Sequence, residues 1–119
     1  MKKKILCFDL DNVICTTPKN KAYKHAKPKK KIINLINKLY DSKKYIIKIF
    51  TARGMGKFKG NKAQVKKTYF KLTIAQLNTW KVRYHKLEMY KISYDFFVDD
   101  KAYGYHNKWY LDVKNKYLK

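Results

Sequence analysis

Only eight of the 119 residues are acidic, and four of them fall in two close pairs, Asp9 with Asp11 and Asp99 with Asp100. The chain carries 30 lysines and arginines and a net charge of +22, so carboxylates set this close together need a reason. Neighbouring carboxylates repel and raise each other's pKa unless a cation neutralises them. A set of oxygen donors with no sulfur or imidazole suits Mg²⁺, which keeps several waters and takes one or two carboxylates plus a phosphate oxygen. The competing explanation, a solvated turn, is adequate for the isolated Asp41 and Asp112. It fits the two pairs poorly because each follows an apolar run.

Those runs are the elements that must position the carboxylates. Residues 4–8 (Lys-Ile-Leu-Cys-Phe) lack alternation, as expected of a strand buried on both faces of a parallel sheet, and end at Asp9. Residues 28–43 place Ile32, Ile33, Ile36, Leu39 and Tyr40 at helical spacing, with Pro28 near the start. Residues 45–50 (Tyr-Ile-Ile-Lys-Ile-Phe) read as a second strand ending at Thr51, followed by a loop with Gly54, Gly56 and Gly60. A second helix is expected over 62–81, with Phe70, Ile74, Leu77 and Trp80 on one stripe. Residues 83–87 form a weaker third strand, and residues 94–98 a fourth that ends at Asp99. The tail from Tyr103 has aromatic anchors and no assigned element.

Strands alternating with helices imply βαβ units, hence an α/β fold with a mostly parallel sheet. Ligands of such sheets bind beyond the C-terminal strand edge, where strand order reverses. With strands 2 and 3 on one side of strand 1 and strand 4 on the other (order 3-2-1-4), that reversal falls at Asp9. The length indicates one domain over residues 1–119.

Lysine outnumbers arginine 28 to 2, although bidentate phosphate and base recognition favours arginine. Lys, Asn, Ile, Tyr and Phe together make 63 residues, all served by A/T-rich codons, so an AT-biased genome accounts for much of the charge. A polyanionic partner such as nucleic acid remains an open reading, and anionic substrates are attracted either way. The longest apolar runs are far too short for a membrane span or a signal segment, and two cysteines make no disulfide framework. The expectation is a cytoplasmic protein without a membrane partner.

The segment Phe8-Asp9-Leu10-Asp11-Asn12-Val13 resembles the first motif of the haloacid dehalogenase superfamily of phosphotransferases. Ile49-Phe50-Thr51-Ala52-Arg53 is similar to the second motif. Lys91 stands at the third motif's lysine, and Val98-Asp99-Asp100-Lys101-Ala102 is similar to the acidic fourth. The Thr51-Ala52-Arg53-Gly54 run, Gln76-Leu77-x-x-Trp80, Tyr84-His85-x-Leu87 and Tyr94-Asp95 further resemble small capless phosphatases of capsule and surface-polysaccharide biosynthesis. Asn12 stands where the family has glycine; asparagine tolerates left-handed backbone better than other side-chain-bearing residues.

The resemblance implies a Rossmann-like core without a cap, since residues 15–27 and 87–94 are too short to fold as one. It implies Mg²⁺-dependent hydrolysis of a phosphomonoester through an aspartyl-phosphate, on a sugar phosphate or polysaccharide precursor. Asp9 is then the nucleophile and Asp11 the general acid and base. Thr51 and Lys91 hold the phosphoryl oxygens, with Lys86 as the second choice of lysine. Asp9, Asp11 (through its carbonyl), Asp99 and Asp100 hold the metal. Asn12, Ala52 and Arg53 face the substrate, Arg53 as an anion contact. Capless relatives often oligomerise, which carries an expectation of a homo-oligomer. Two alternatives stay open: a phosphatase of nucleotides or polynucleotide ends, and a non-catalytic polyanion-binding protein on the same scaffold. Cys15 is expected to be a small apolar residue, His85 a packed or solvent-facing histidine, and His25 and His106 lack a metal-ligand spacing.

Overall fold

A computed structural model describes residues 2–91 and 103–118. Three strands make a parallel sheet in the order β1-β4-β5: β1 (Lys4–Asp9), β4 (Tyr45–Phe50) and β5 (Lys86–Glu88). β1 pairs with β4 from Lys4↔Tyr45 to Asp9↔Phe50, and β4 pairs with β5 from Lys48↔Lys86 to Phe50↔Glu88. All three strands therefore finish at one edge, where Asp9 and Thr51 stand. The expected fourth strand, with Asp99 and Asp100, lies outside the described residues, and so does the strand-order reversal expected at Asp9.

Partners across a parallel ladder share a face, so the register puts Leu6, Phe8, Ile47, Ile49 and Leu87 on one side. Helix α1 (Lys30–Asp41) covers that side with Ile32, Ile33, Leu35, Ile36 and Leu39. Helix α4 (Trp109–Tyr117), the element the tail left unassigned, packs there as well. Its Trp109 ring lies 6.1 Å from Phe8, and Tyr45 donates from its hydroxyl to the Tyr117 carbonyl at 2.7 Å. On the other side of β1, Ile5 and Cys7 are exposed among the described residues. The expectation of a strand buried on both faces is thus corrected. In a run of only five apolar and basic residues, periodicity does not distinguish one covered face from two.

Helix boundaries moved inward for identifiable reasons. Pro28 belongs not to α1 but to a two-residue strand, β3 (Lys27–Pro28), antiparallel to β2 (Cys15–Thr16). That ladder closes residues 15–28 into a loop containing a 3₁₀ turn at Tyr23–His25. At the other end of α1, Lys43 takes a left-handed φ of 61° and stops the helix after Asp41.

The second helix comprises α2 (Lys62–Val65), a π-helical turn at Lys66–Phe70 and α3 (Lys71–Thr79). Asn61 caps its start by accepting from the Gln64 amide at 3.2 Å. The most buried positions are Val65, Thr73 and Leu77, with Tyr69 half-buried among them, all spaced by four; of the expected stripe, Leu77 is fully buried and Phe70 and Trp80 pack half-buried against the core. Steps of four over-rotate a regular α-helix by about 40° each. The wider π turn unwinds that drift and keeps Val65 and Tyr69 in line with Thr73 and Leu77.

Among the described residues, no helix is long and apolar enough to cross a membrane.

Candidate functional site

The site begins where β1 stops. The Leu10 amide donates to the Phe50 carbonyl at 2.9 Å, extending the ladder one residue past Asp9, and also reaches Asp9 Oδ1 at 3.0 Å. The Leu10 carbonyl then accepts from the amides of Val13, Ile14 and Cys15 at 3.3, 3.0 and 3.2 Å, which turns the chain sharply. Asn12 sits in that turn at φ 64°, the left-handed conformation anticipated from its identity. Its side-chain oxygen accepts from the Thr17 amide at 3.1 Å, and its carbonyl accepts from Lys29 Nζ at 3.1 Å.

The turn delivers Asp11 to a fork of donors. Arg53 Nε lies 3.1 and 3.2 Å from the two Asp11 oxygens, and Arg53 Nη2 lies 3.0 Å from Oδ1. Thr17 donates to Oδ1 at 2.6 Å, and Thr51 donates to Oδ2 at 3.2 Å. Arg53 is 1% exposed. Its remaining nitrogen donates to Thr73 Oγ1 at 3.1 Å and Gln76 Oε1 at 2.6 Å, while Gln76 donates to the Tyr23 carbonyl at 2.6 Å. The guanidinium carbon stands 4.8 Å over the Tyr23 ring. One buried cation thus ties β1, β4, α3 and the 15–28 loop together.

In this arrangement two of the expected substrate contacts are engaged within the protein. Arg53, read as an anion contact, is an internal partner of Asp11; a guanidinium with its fork filled by a carboxylate has little left for a ligand. Thr51, read as a phosphoryl contact, is fully buried behind Asp11, its hydroxyl donating there and accepting from the Arg53 amide at 3.1 Å.

Lys91 lies where the spacing suggested. Its amide donates to the Thr51 carbonyl at 3.2 Å, and its ammonium is 3.2 Å from Asp9 Oδ2. Lys86, the second choice, instead pairs with Glu88 at 3.0 Å on β5. Burial holds the Asp9 carboxyl above its ordinary range, with the Lys91 charge and hydrogen bond pulling the other way. Burial likewise pushes the Cys15 thiol up, as befits a packed, unreactive cysteine. His85 accepts the Ile47 amide on Nδ1 at 2.9 Å and stacks 4.5 Å from Tyr40, while His106 pairs with Asp112 at 3.0 Å.

Asp9, Asp11, Asn12, Ala52, Arg53 and Lys91 all line one open cleft of about 1070 Å³ at the strand edge. Its far walls come from the 15–28 loop, the Gly54–Gly56 turn and Tyr69 of the π segment. Among the described residues no three His, Cys, Asp or Glu side chains group as a metal site; Asp99 and Asp100 lie outside them. What the described residues offer a cation is the Asp9 carboxylate and the Asp11 main chain, all oxygen, and the Asp11 side chain is already committed to Arg53. Those oxygens are of the type Mg²⁺ takes, but two of them do not by themselves make a site.

Thr17 and Thr73 carried no local signal in the sequence, and Gln76 stood out only within the Gln76-Leu77-x-x-Trp80 run, with no role attached. A threonine among the inward positions of a helix, one turn before Leu77, is the sole hint of a buried polar partner, and it needed the π turn to become legible.

Gly54 closes the site from the β4 side at φ 80°, and a Cβ there would meet the Tyr69 ring at 2.7 Å. Gly54→Ala is expected to destabilise the fold by about 1–3 kcal/mol, since left-handed strain and a ring clash add. A chemical-denaturation midpoint equal to that of the wild type would contradict this packing.

No family model matches the sequence, and no curated protein matches it. Two solved structures resemble the fold. A structural-genomics target from Vibrio cholerae superposes with a TM-score of 0.70 at 22% identity, covering 95% of this chain and 98% of that one. A chain of the Pnkp1/Rnl/Hen1 complex superposes with a TM-score of 0.53 at 14% identity, covering 98% of this chain and 35% of the other. The chain thus spans about a third of that second neighbour's length. These likenesses carry the fold alone, that of a small α/β protein with a parallel sheet.

Proposed function

We propose that the protein is a phosphomonoester hydrolase of the haloacid dehalogenase type, working through an aspartyl-phosphate on Asp9. The observation that carries the reading is one cluster. Asp9 and Asp11 leave the same strand end two residues apart, Lys91 stands on Asp9 at 3.2 Å, and all three line one cleft. A binding module needs a cation there, not a carboxylate with its own ammonium and a second carboxylate clamped beside it.

In the first step an Asp9 oxygen attacks phosphorus and the bond from phosphorus to the leaving oxygen breaks. Asp11 gives that oxygen its proton. In the second step water attacks phosphorus and loses a proton to Asp11, and the bond to Asp9 breaks to free inorganic phosphate. Lys91 meets the charge that builds on the phosphoryl oxygens. Mg²⁺, held by Asp9, the Asp11 carbonyl and the Asp99–Asp100 pair, would screen the carboxylates from the incoming phosphate.

The test is phosphate release from a panel of sugar phosphates, nucleotides and 3′- or 5′-phosphorylated oligonucleotides, with Mg²⁺ and with chelator. Release that needs Mg²⁺ is the expected result. No release from any member under either condition sinks the reading in favour of a binding role. The resemblance by itself favours the sugar phosphates; the shape of the cleft favours the oligonucleotides, as argued next.

A further inference from the structure

Resting on the phosphatase reading, we propose that the group leaving Asp9 is a nucleic-acid end, whose next phosphodiesters lie on a lysine lip over the cleft. The cleft that holds Asp9 and Lys91 continues outward to Lys19, Lys21 and Lys57. All three are exposed, and no described carboxylate pairs with any of them. The loop that carries two of them is tied to α3 where Gln76 donates to the Tyr23 carbonyl at 2.6 Å, and it has internal turns of its own. The Lys21 amide donates to the Pro18 carbonyl, and the Tyr23 amide donates to the Lys21 carbonyl, both at 2.9 Å. Tyr23 and Tyr69, edge to face at 5.1 Å, line the same cleft, Tyr23 also lying under the Arg53 guanidinium.

Reacting carboxylates, aromatic side chains and exposed cations around one cleft match a polynucleotide terminus. The terminal phosphate reaches Asp9, the last ribose or base packs on tyrosine, and the following phosphates meet lysine. A simple sugar phosphate spends its one charge at Asp9 and leaves three cations with nothing to bind. The size agrees, because about 1070 Å³ is at or beyond the upper end of ordinary small-ligand pockets, roughly 300–1,000 Å³. With 28 lysines a basic patch alone decides nothing, so a matched patch serves as the control. Lys4, Lys44 and Lys116 cluster at the opposite, N-terminal strand edge, beside Tyr45 and Tyr117 but far from any reacting group.

The experiment compares two triple variants of the full chain, Lys19→Gln/Lys21→Gln/Lys57→Gln and Lys4→Gln/Lys44→Gln/Lys116→Gln. Each removes three charges. Binding of labelled single-stranded decanucleotides, ending in 3′-phosphate, 5′-phosphate or hydroxyl, is titrated by anisotropy across a salt series, in an Asp9→Asn background to prevent turnover. The lip variant is expected to lose at least tenfold in affinity for a phosphate-ended strand. Its slope of log K against log salt should fall by about 2, at about 0.7 per lost phosphate contact. The control variant should keep most of that slope. Equal losses in the two variants, or no preference for a phosphate end, overturn the proposal. Phosphate release by the wild type from sugar phosphates, with equal oligonucleotide affinity in both variants, leaves the phosphatase and removes the nucleic-acid end. Lip-dependent binding of phosphate-ended strands without release from any ester removes the phosphatase and keeps the lip.

Discussion

Asp9→Asn is expected to lower phosphate release by on the order of 10³-fold or more while the protein stays folded. The amide matches the carboxylate in size and keeps an oxygen for the Leu10 amide, which now donates to Oδ1 at 3.0 Å. It has no electron pair basic enough to displace an alkoxide from phosphorus, so the covalent step fails. The ion pair to Lys91 goes too, but at 28% and 39% side-chain exposure that pair is solvent-screened and contributes little to stability. A melting curve close to that of the wild type, beside absent phosphate release, is the expected pair of results. Residual release within tenfold of wild type would mean that Asp9 is not the nucleophile.

Arg53→Ala is expected to have the second largest effect, and on two readouts. Removing one partner of a buried pair strands the other charge, at a cost of about 3–5 kcal/mol. The low end applies here because the Asp11 side chain keeps 21% exposure and retains Thr17 and Thr51. Thr73 and Gln76 lose their donor as well, so urea denaturation should show the loss plainly. Arg53→Lys keeps the charge but not the planar fork. It should recover part of the stability while kcat stays down by about 10²-fold, the scale on which a misplaced general acid is felt. The split between constants separates positioning from binding. A residue that holds Asp11 lowers kcat and leaves KM within about threefold, whereas a substrate-anion contact raises KM instead. A KM rise with kcat unchanged would restore the contact first read from the sequence. In the cycle with Asp11→Asn, the double variant should cost less than the sum of the singles, because neither leaves a lone buried charge.

Much of the framework was written in local sequence. The β1 and β4 runs, the α1 stripe and the carboxylate–threonine–lysine order are short-range patterns, and each falls close to where it was expected. Lys91 was singled out by the resemblance and its spacing to Asp99; its ammonium lies 3.2 Å from Asp9, whereas Lys86 on β5 pairs with Glu88. The four-residue spacing of Val65, Tyr69, Thr73 and Leu77 was not legible because a constant 3.6 period was assumed across a segment that takes a π turn at Lys66–Phe70. Pro28 misled because its partner, Cys15, lies thirteen residues away and leaves no trace in local periodicity.

What the sequence by itself determined is the inventory: which residue types stand at which strand ends, and hence the chemistry within reach. What tertiary structure decided is which of them face each other. Arg53 could be placed beside the site by its position after Thr51, but not turned inward onto Asp11. That orientation depends on Thr73, Gln76 and Tyr23, which reach it from twenty or more residues away. A buried charge is tolerable only when all its donors and acceptors are met at once. Meeting them is a property of the packed whole, and no single segment of the chain carries it.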